Sequence, residues 1–142
     1  MLSPLGFRRF SDEVLCLHNA YGDWLSTYHW DSFWTLTFAD LYSEQAAIRA
    51  ITKWANKHTI VEPMTMSWVF FLELTKLGAI HAHGLMRHVK HAQRLLWKDW
   101  FERHGIARGL KYDERLKAQY YCAKYLTKGA VSWIIDDRSA RK

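Results

Sequence analysis

Cysteine, proline and glycine are all scarce, at two, two and seven residues in a chain of 142. Cys16 and Cys122 can form at most one bridge and no four-thiolate zinc site, which excludes a disulfide-stapled scaffold and suits a reducing compartment. Both read as small packing residues. No Pro/Gly/Ser-rich linker, internal repeat or low-complexity tract interrupts the sequence. No apolar run reaches the roughly 18 residues of a membrane span. The stretch from Met1 to Phe10 lacks the order of basic, apolar and small residues that marks a signal peptide. The expectation is a cytoplasmic protein without a membrane partner, folded as a single domain over residues 1–142 with its core at about 30–135.

What is abundant is positive charge and aromatic surface. Twenty basic against fourteen acidic side chains give a formal charge of +6, which points to a polyanionic partner, nucleic acid first. Eight tryptophans, seven tyrosines and seven phenylalanines suit either a packed core or stacking on unpaired bases.

The apolar spacing predicts an alternation of strands and helices. Glu13 to about Tyr28 reads as a helix interrupted near Gly22, and Ser32 to Phe38 as a two-faced strand. Ser43 can cap a helix over 44–57 that carries Ala46, Ala47, Ala50, Ile51 and Trp54 on one face. Thr65 to Thr75 contains the apolar run of a central strand, and Ile80 to His88 is the next. Helical spacing resumes over 90–104 through Ala92, Leu95, Leu96, Trp100 and Phe101, with Gly105 at a C-cap position. A short strand at Ala107 to Tyr112 leads to a helix from Asp113 that turns Leu116, Tyr120, Ala123 and Leu126 toward the core. Gly129 ends that helix, and Val131 to Ile135 adds a last strand. This order predicts an α+β fold, a split βαβ layer in which helices cover mainly one face of a central antiparallel sheet.

His81 and His83 stand two apart on one strand, so both project from the same face. A three-residue hairpin loop, Lys76-Leu77-Gly78, with a left-handed glycine last, pairs Thr75 with Ala79 and sets Glu73 opposite His81. A two-residue loop would turn Glu73 away. Two imidazoles and a carboxylate within cross-strand reach suit Mg²⁺ or Mn²⁺ that also holds a phosphate oxygen, and the histidines would equally accept zinc. His18, His29, His58, His88, His91 and His104 lack a comparable partner pattern, and His88 falls on the opposite strand face from His81.

On the helix after Asp113, Tyr121, Lys124, Tyr125 and Lys128 occupy one stripe about 100° wide, while Tyr120 borders the buried side. Two phenols and two ammonium groups suit phosphoryl transfer. The lysines favour phenolate and steady a phosphate carrying extra negative charge, and the product, a phosphotyrosine ester, lets a later hydroxyl rejoin the strand.

Three blocks in this order carry a resemblance: Phe33-Trp34-Thr35-Leu36-Thr37-Phe38, Glu73 with His81-Ala-His83-Gly-Leu, and Tyr121-Cys-Ala-Lys124-Tyr125-Leu-Thr-Lys128. Over about residues 33–128 the chain resembles the HUH endonucleases, specifically rolling-circle replication initiator (Rep) proteins. The resemblance implies a ferredoxin-like or RRM-like sheet, and a divalent ion, Mn²⁺ or Mg²⁺, on both histidines and an acidic residue. It implies a tyrosine that becomes linked to a 5′ phosphate while a free 3′ hydroxyl primes synthesis. Tyr121 stands at the single-tyrosine position and Tyr125 where two-tyrosine initiators have a second nucleophile.

The implied substrate is single-stranded DNA at an origin hairpin of a plasmid or virus in a prokaryotic host, with no small-molecule organic cofactor. The sequence contains no Walker motif, so helicase and polymerase would come from the host or from a further part of the protein. Arg8 and Arg9 are candidate phosphate contacts beside Lys124 and Lys128. Three other readings are a single-strand transposase of the same superfamily, an RRM-like module that binds single strands without chemistry, and a metal-dependent phosphoesterase that uses water.

Overall fold

The computed structural model describes residues 22–116 and 130–140, which fall into two compact units: residues 30–112 with 130–140, and residues 22–29 with 113–116. The first unit holds every named element. The second contains a helical turn at 22–25 and a turn at 114–116, with His29 Nδ1 3.2 Å from a Glu114 carboxylate oxygen. Leu116, expected to face a core, lies in that turn and is exposed. Tyr120, Ala123 and Leu126, and residues 13–21 of the helix expected from Glu13 to about Tyr28, lie outside the described residues.

The unit of residues 30–112 and 130–140 is a five-stranded antiparallel sheet with two helices on one face, an α+β fold consistent with the ferredoxin-like arrangement. Its strands are β1 (Ser32–Thr37), β2 (Trp68–Leu74), β3 (Ile80–Met86), β4 (Ala107–Lys111) and β5 (Ala130–Ile135). Helix α1 (Glu44–His58) joins β1 to β2, and α2 (Gln93–Arg103) joins β3 to β4. The strand order is β4-β1-β3-β2-β5, so the two split β-α-β units interleave and β5 adds to the outer edge of β2.

Alternation along each strand decides which side the helices cover. Trp34, Leu36, Trp68, Phe70, Leu72, Ala82 and Met86 point to the helical side, where Ala47, Ile51, Trp54, Leu96 and Trp100 meet them. Each of the four large indoles in this core has a partner for its N–H. Trp34 donates to Ser32 Oγ at 2.8 Å, Trp54 to the Leu96 carbonyl at 3.0 Å, Trp68 to Asn56 Oδ1 at 2.9 Å and Trp100 to the Thr37 carbonyl at 2.9 Å. Burial therefore leaves no indole N–H of the four without compensation.

Helix α1 starts where its sequence dictates, with Ser43 Oγ accepting from the Ala46 N–H at 3.1 Å. Helix α2 differs from its expected pattern. Leu96 and Trp100 are buried, but Leu95, Trp97 and Phe101 are exposed. Gly105 follows the helix without a left-handed φ. A Cβ there would overlap the Thr37 carbonyl oxygen and stand 2.8 Å from the Ala39 nitrogen, so the glycine permits close approach to the end of β1 rather than a reversal of the chain. Strand β3 stops at Met86, before His88, whose φ of 54° breaks the extended run. Among the described residues no helix is long and apolar enough to cross a membrane.

Gly84 faces the helical side at the centre of the sheet, and an added Cβ would overlap the Phe70 ring and lie 2.5 Å from the Val69 carbonyl oxygen. Gly84→Ala is expected to cost about 2 kcal/mol through overpacking, seen as a lower urea midpoint with unchanged m-value. An unaltered midpoint would show that the sheet yields at this point.

Candidate functional site

The hairpin between β2 and β3 places the first group of candidate residues. Gly78 has φ 83°, its N–H donates to the Thr75 carbonyl at 3.0 Å, and the Thr75 N–H donates to the Ala79 carbonyl at 2.7 Å. This is a three-residue loop with a left-handed final glycine. Its register sets Glu73 opposite His81 and Phe71 opposite His83, while β1 sets Thr37 opposite His81 and Thr35 opposite His83. Glu73, His81, His83, Thr35 and Thr37 therefore share the face of the sheet opposite the helices.

That face is divided along the strands. At one end, Phe33, Val69 and Leu85 are adjacent and buried; at the other, Thr37, Glu73 and His81 are adjacent and partly exposed. His83 sits between them and is buried, with Nδ1 3.2 Å from Thr35 Oγ1 and Nε2 3.5 Å from Glu73 Oε2. With its proton on Nδ1, donated to Thr35, the imidazole turns its Nε2 lone pair toward Glu73. With its proton on Nε2 instead, the ring turns an N–H toward Glu73 and accepts from the Thr35 hydroxyl, so the first tautomer is the one able to ligate a metal ion through Nε2.

Glu73, His81 and His83 thus place one carboxylate and two imidazoles, donor types that divalent ions accept, on one face of the sheet. As the side chains stand, no three His, Cys, Asp or Glu groups among the described residues converge to coordinating distance. Arg108, which the sequence reading did not single out, completes this part of the face. It is exposed, and pairs with Thr35, placing a cation two strands from His83. The signal lay in the β1–β4 register, which only the paired strands reveal. Tyr121, Lys124, Tyr125, Lys128, Arg8 and Arg9 lie outside the described residues.

A second constellation occurs on the helical side, among histidines that the sequence reading set aside. A backbone ladder joins residues 58–60 to 88–90: the Ile60 N–H donates to the His88 carbonyl at 2.9 Å and the Lys90 N–H to the His58 carbonyl at 3.0 Å. This brings His91 to His58, their Nδ1 atoms 2.8 Å apart. His58 Nε2 lies 2.7 Å from Asp99 Oδ2, and Asp99 also meets Lys57 at 3.2 Å and Arg103 at 3.0 Å. An ionised Asp99 can only accept, so His58 carries its proton on Nε2 and its Nδ1 accepts from His91.

Burial lowers the His58 pKa from its ordinary 6.5, against the opposing pull of Asp99. Burial also works to raise the Asp99 pKa, but the hydrogen bonds from His58 and Lys57 outweigh it and hold the carboxyl below its ordinary value. The same burial effect, then the Arg103 charge, lowers the pKa of His104, whose Nδ1 is 3.0 Å from the Tyr42 hydroxyl.

Compared with protein-family models, curated proteins and solved structures, the chain finds no match.

A lowered folded-state pKa means that the unfolded chain takes up the His58 proton first as pH falls. The stabilisation is therefore complete above the unfolded value of 6.5 and is lost progressively below it. Urea unfolding of wild type is expected to show lower stability at pH 5.5 than at pH 7.5. His58→Gln, which keeps a donor toward Asp99 but does not titrate, is expected to shrink that difference. Equal pH dependence in the two proteins would remove His58 as its source.

Proposed function

We propose that the protein is a metal-dependent, site-specific single-strand DNA endonuclease and strand transferase of the HUH type, initiating rolling-circle replication of a plasmid or virus. The observation that carries this reading is the presence of Glu73, His81 and His83 on the face of the antiparallel sheet opposite α1 and α2, with Glu73 and His83 at ion-pair distance. The order of the Phe33–Phe38, His81–His83 and Tyr121–Lys128 blocks and the formal charge of +6 support it.

In this reading Glu73, His81 and His83 would hold Mn²⁺ or Mg²⁺, with Thr35 3.2 Å from His83 Nδ1 to orient the ring. When bound, the ion supplies polarisation of a phosphate oxygen. Tyr121 is the first nucleophile. Its phenolate oxygen bonds to phosphorus, the bond from phosphorus to the 3′ oxygen breaks, and that oxygen takes a proton to leave as the 3′ hydroxyl. Attack of a hydroxyl on the phosphotyrosine reverses the exchange and joins strands. Lys124 and Lys128 offset charge on the phosphate, and Tyr125 is positioned in sequence for a second round. Arg108 is a further phosphate contact from β4. The substrate is single-stranded DNA near an origin hairpin, and host helicase and polymerase extend the released end.

A binding module of RRM type would place exposed aromatics on the central strands of this face. The central positions here are Thr35 and His83, and the flanking Phe33 and Phe71 are buried, which supports chemistry over stacking.

Incubation with labelled single-stranded DNA pools and Mn²⁺, resolved on a denaturing gel, is expected to give a covalent protein–DNA adduct that chelator abolishes. Tyr121→Phe should eliminate the adduct, and Glu73→Gln or His83→Ala should slow its formation by at least about a hundredfold, the scale of losing one electrostatic stabiliser. An adduct lost only in Tyr125→Phe moves the nucleophile by one helical turn. Cleavage without an adduct identifies water as nucleophile, and binding without cleavage across hairpin substrates overturns the enzyme reading.

A further inference from the structure

The helical side of the sheet carries a recess that the reaction has no use for. A cavity of about 450 Å³ between α1 and α2 is lined by Arg49, Lys53, Lys57 and Arg103, with Trp54 among its apolar walls. A neighbouring cavity of about 350 Å³ shares Lys57, Asp99 and Arg103 and adds Lys98. Together they form a trough with five cations against two carboxylates, Asp99 and Glu102. Lys57 and Arg103 pair with Asp99, which His58 also engages, and Lys98 lies 3.8 Å from Glu102, so five cations against two carboxylates leave the trough net positive. Among the described residues Arg49 and Lys53 have no acidic group within ion-pair distance, and both are exposed.

The arrangement of the cations identifies the kind of anion. Arg49, Lys53 and Lys57 recur every four residues along α1, a stripe on one helix face that advances about 6 Å per step. Charges strung along a line meet successive groups of a linear polyanion. A single phosphate would need them to converge on a point. A bilayer surface would need them on a raised face beside apolar anchors, whereas these residues line a recess. We propose that the α1–α2 trough binds the phosphodiester backbone of a nucleic-acid strand, as a second contact separated by the sheet from Glu73, His81 and His83. This inference rests on the reading of the partner as nucleic acid, but on none of the chemistry assigned to the other face.

Each cation that replaces a counterion on a single strand contributes about 0.7 to the slope of log affinity against log salt concentration. Binding of a fluorescent single-stranded oligonucleotide, followed by anisotropy across a KCl series with chelator present, measures that slope without any cleavage. Arg49→Ala/Lys53→Ala is expected to reduce the slope by about 1.4, two contacts' worth, and to weaken binding about tenfold at low salt. Its thermal midpoint should match wild type, since both side chains are exposed, and Lys53→Glu alone should weaken binding in the same direction.

An unchanged slope in a folded double variant overturns the proposal. So does loss of binding to phosphatidylserine vesicles, or of competition by inorganic phosphate, while oligonucleotide binding stays intact. Because no metal or cleavage enters the measurement, a failed adduct assay leaves this result interpretable, and the reverse also holds.

Discussion

A one-residue slip in pairing carries every side chain of a strand to the opposite face of its sheet, so the turn between β2 and β3 governs what each face can do. Gly78 supplies the positive φ that closes a three-residue loop, and the Thr75 side chain reinforces it by accepting from the Ala79 N–H at 3.1 Å. With that loop fixed, Glu73 joins the histidines, and Leu72, Phe70 and Trp68 join the core. The assignment of residues to faces is thus one decision made once. β1 and β5 inherit it, the latter through an irregularity between Leu72 and Glu73 that shifts the register beside the carboxylate.

The core shows how the same aromatic abundance serves two ends. Trp34 and Trp100 both pack edge-on to Trp54, with centroids 5.3 and 5.5 Å apart, and their N–H groups are all bonded, so these rings belong to the fold. Trp97 and Phe101 instead stack nearly parallel, centroids 5.0 Å apart, on the outer surface of α2. Apolar spacing revealed the helix but not its buried side, because α2 has two apolar stripes and the sequence holds nothing that ranks them. Leu95 and Phe101 share that spacing with Leu96 and Trp100 yet lie on the exposed side. Leu116 fails differently: Asp113 lies at the start of a turn, where its carboxylate bonds the Arg115 N–H at 3.0 Å, so no helical face exists at this point to bury it.

What could be read in advance of the candidate site follows the distance along the chain between its parts. Glu73, His81 and His83 lie on one hairpin, so loop length and period-two alternation sufficed to place them on one face. Thr35 and Arg108 reach the same face only through the β1–β3 and β1–β4 pairings, and no local pattern announces them. The His58–His91–Asp99 cluster draws on the end of α1, the segment after β3 and the middle of α2. A short backbone ladder between residues 58–60 and 88–90 holds it together, a tertiary feature for which the sequence contains no signature.

Under the proposed function the two faces also divide electrostatic tasks that conflict. A site that is to receive a divalent cation cannot be strongly positive itself, since like charges at close range repel across the low-dielectric protein. Around Glu73, His81 and His83 the named charges are one carboxylate and, two strands from His83, the Arg108 guanidinium. The excess of cations among the described helical residues lies on the other side of the sheet, along α1 and the end of α2. In the proposed reading a polyanion would be attracted by that side over a Debye length of about 10 Å at moderate salt, while the buried strands between would keep the ammonium and guanidinium groups away from an ion held by Glu73, His81 and His83. His58 and Asp99 tie the end of α1 to α2, and the same carboxylate holds Lys57 and Arg103, two of the cations that flank the trough.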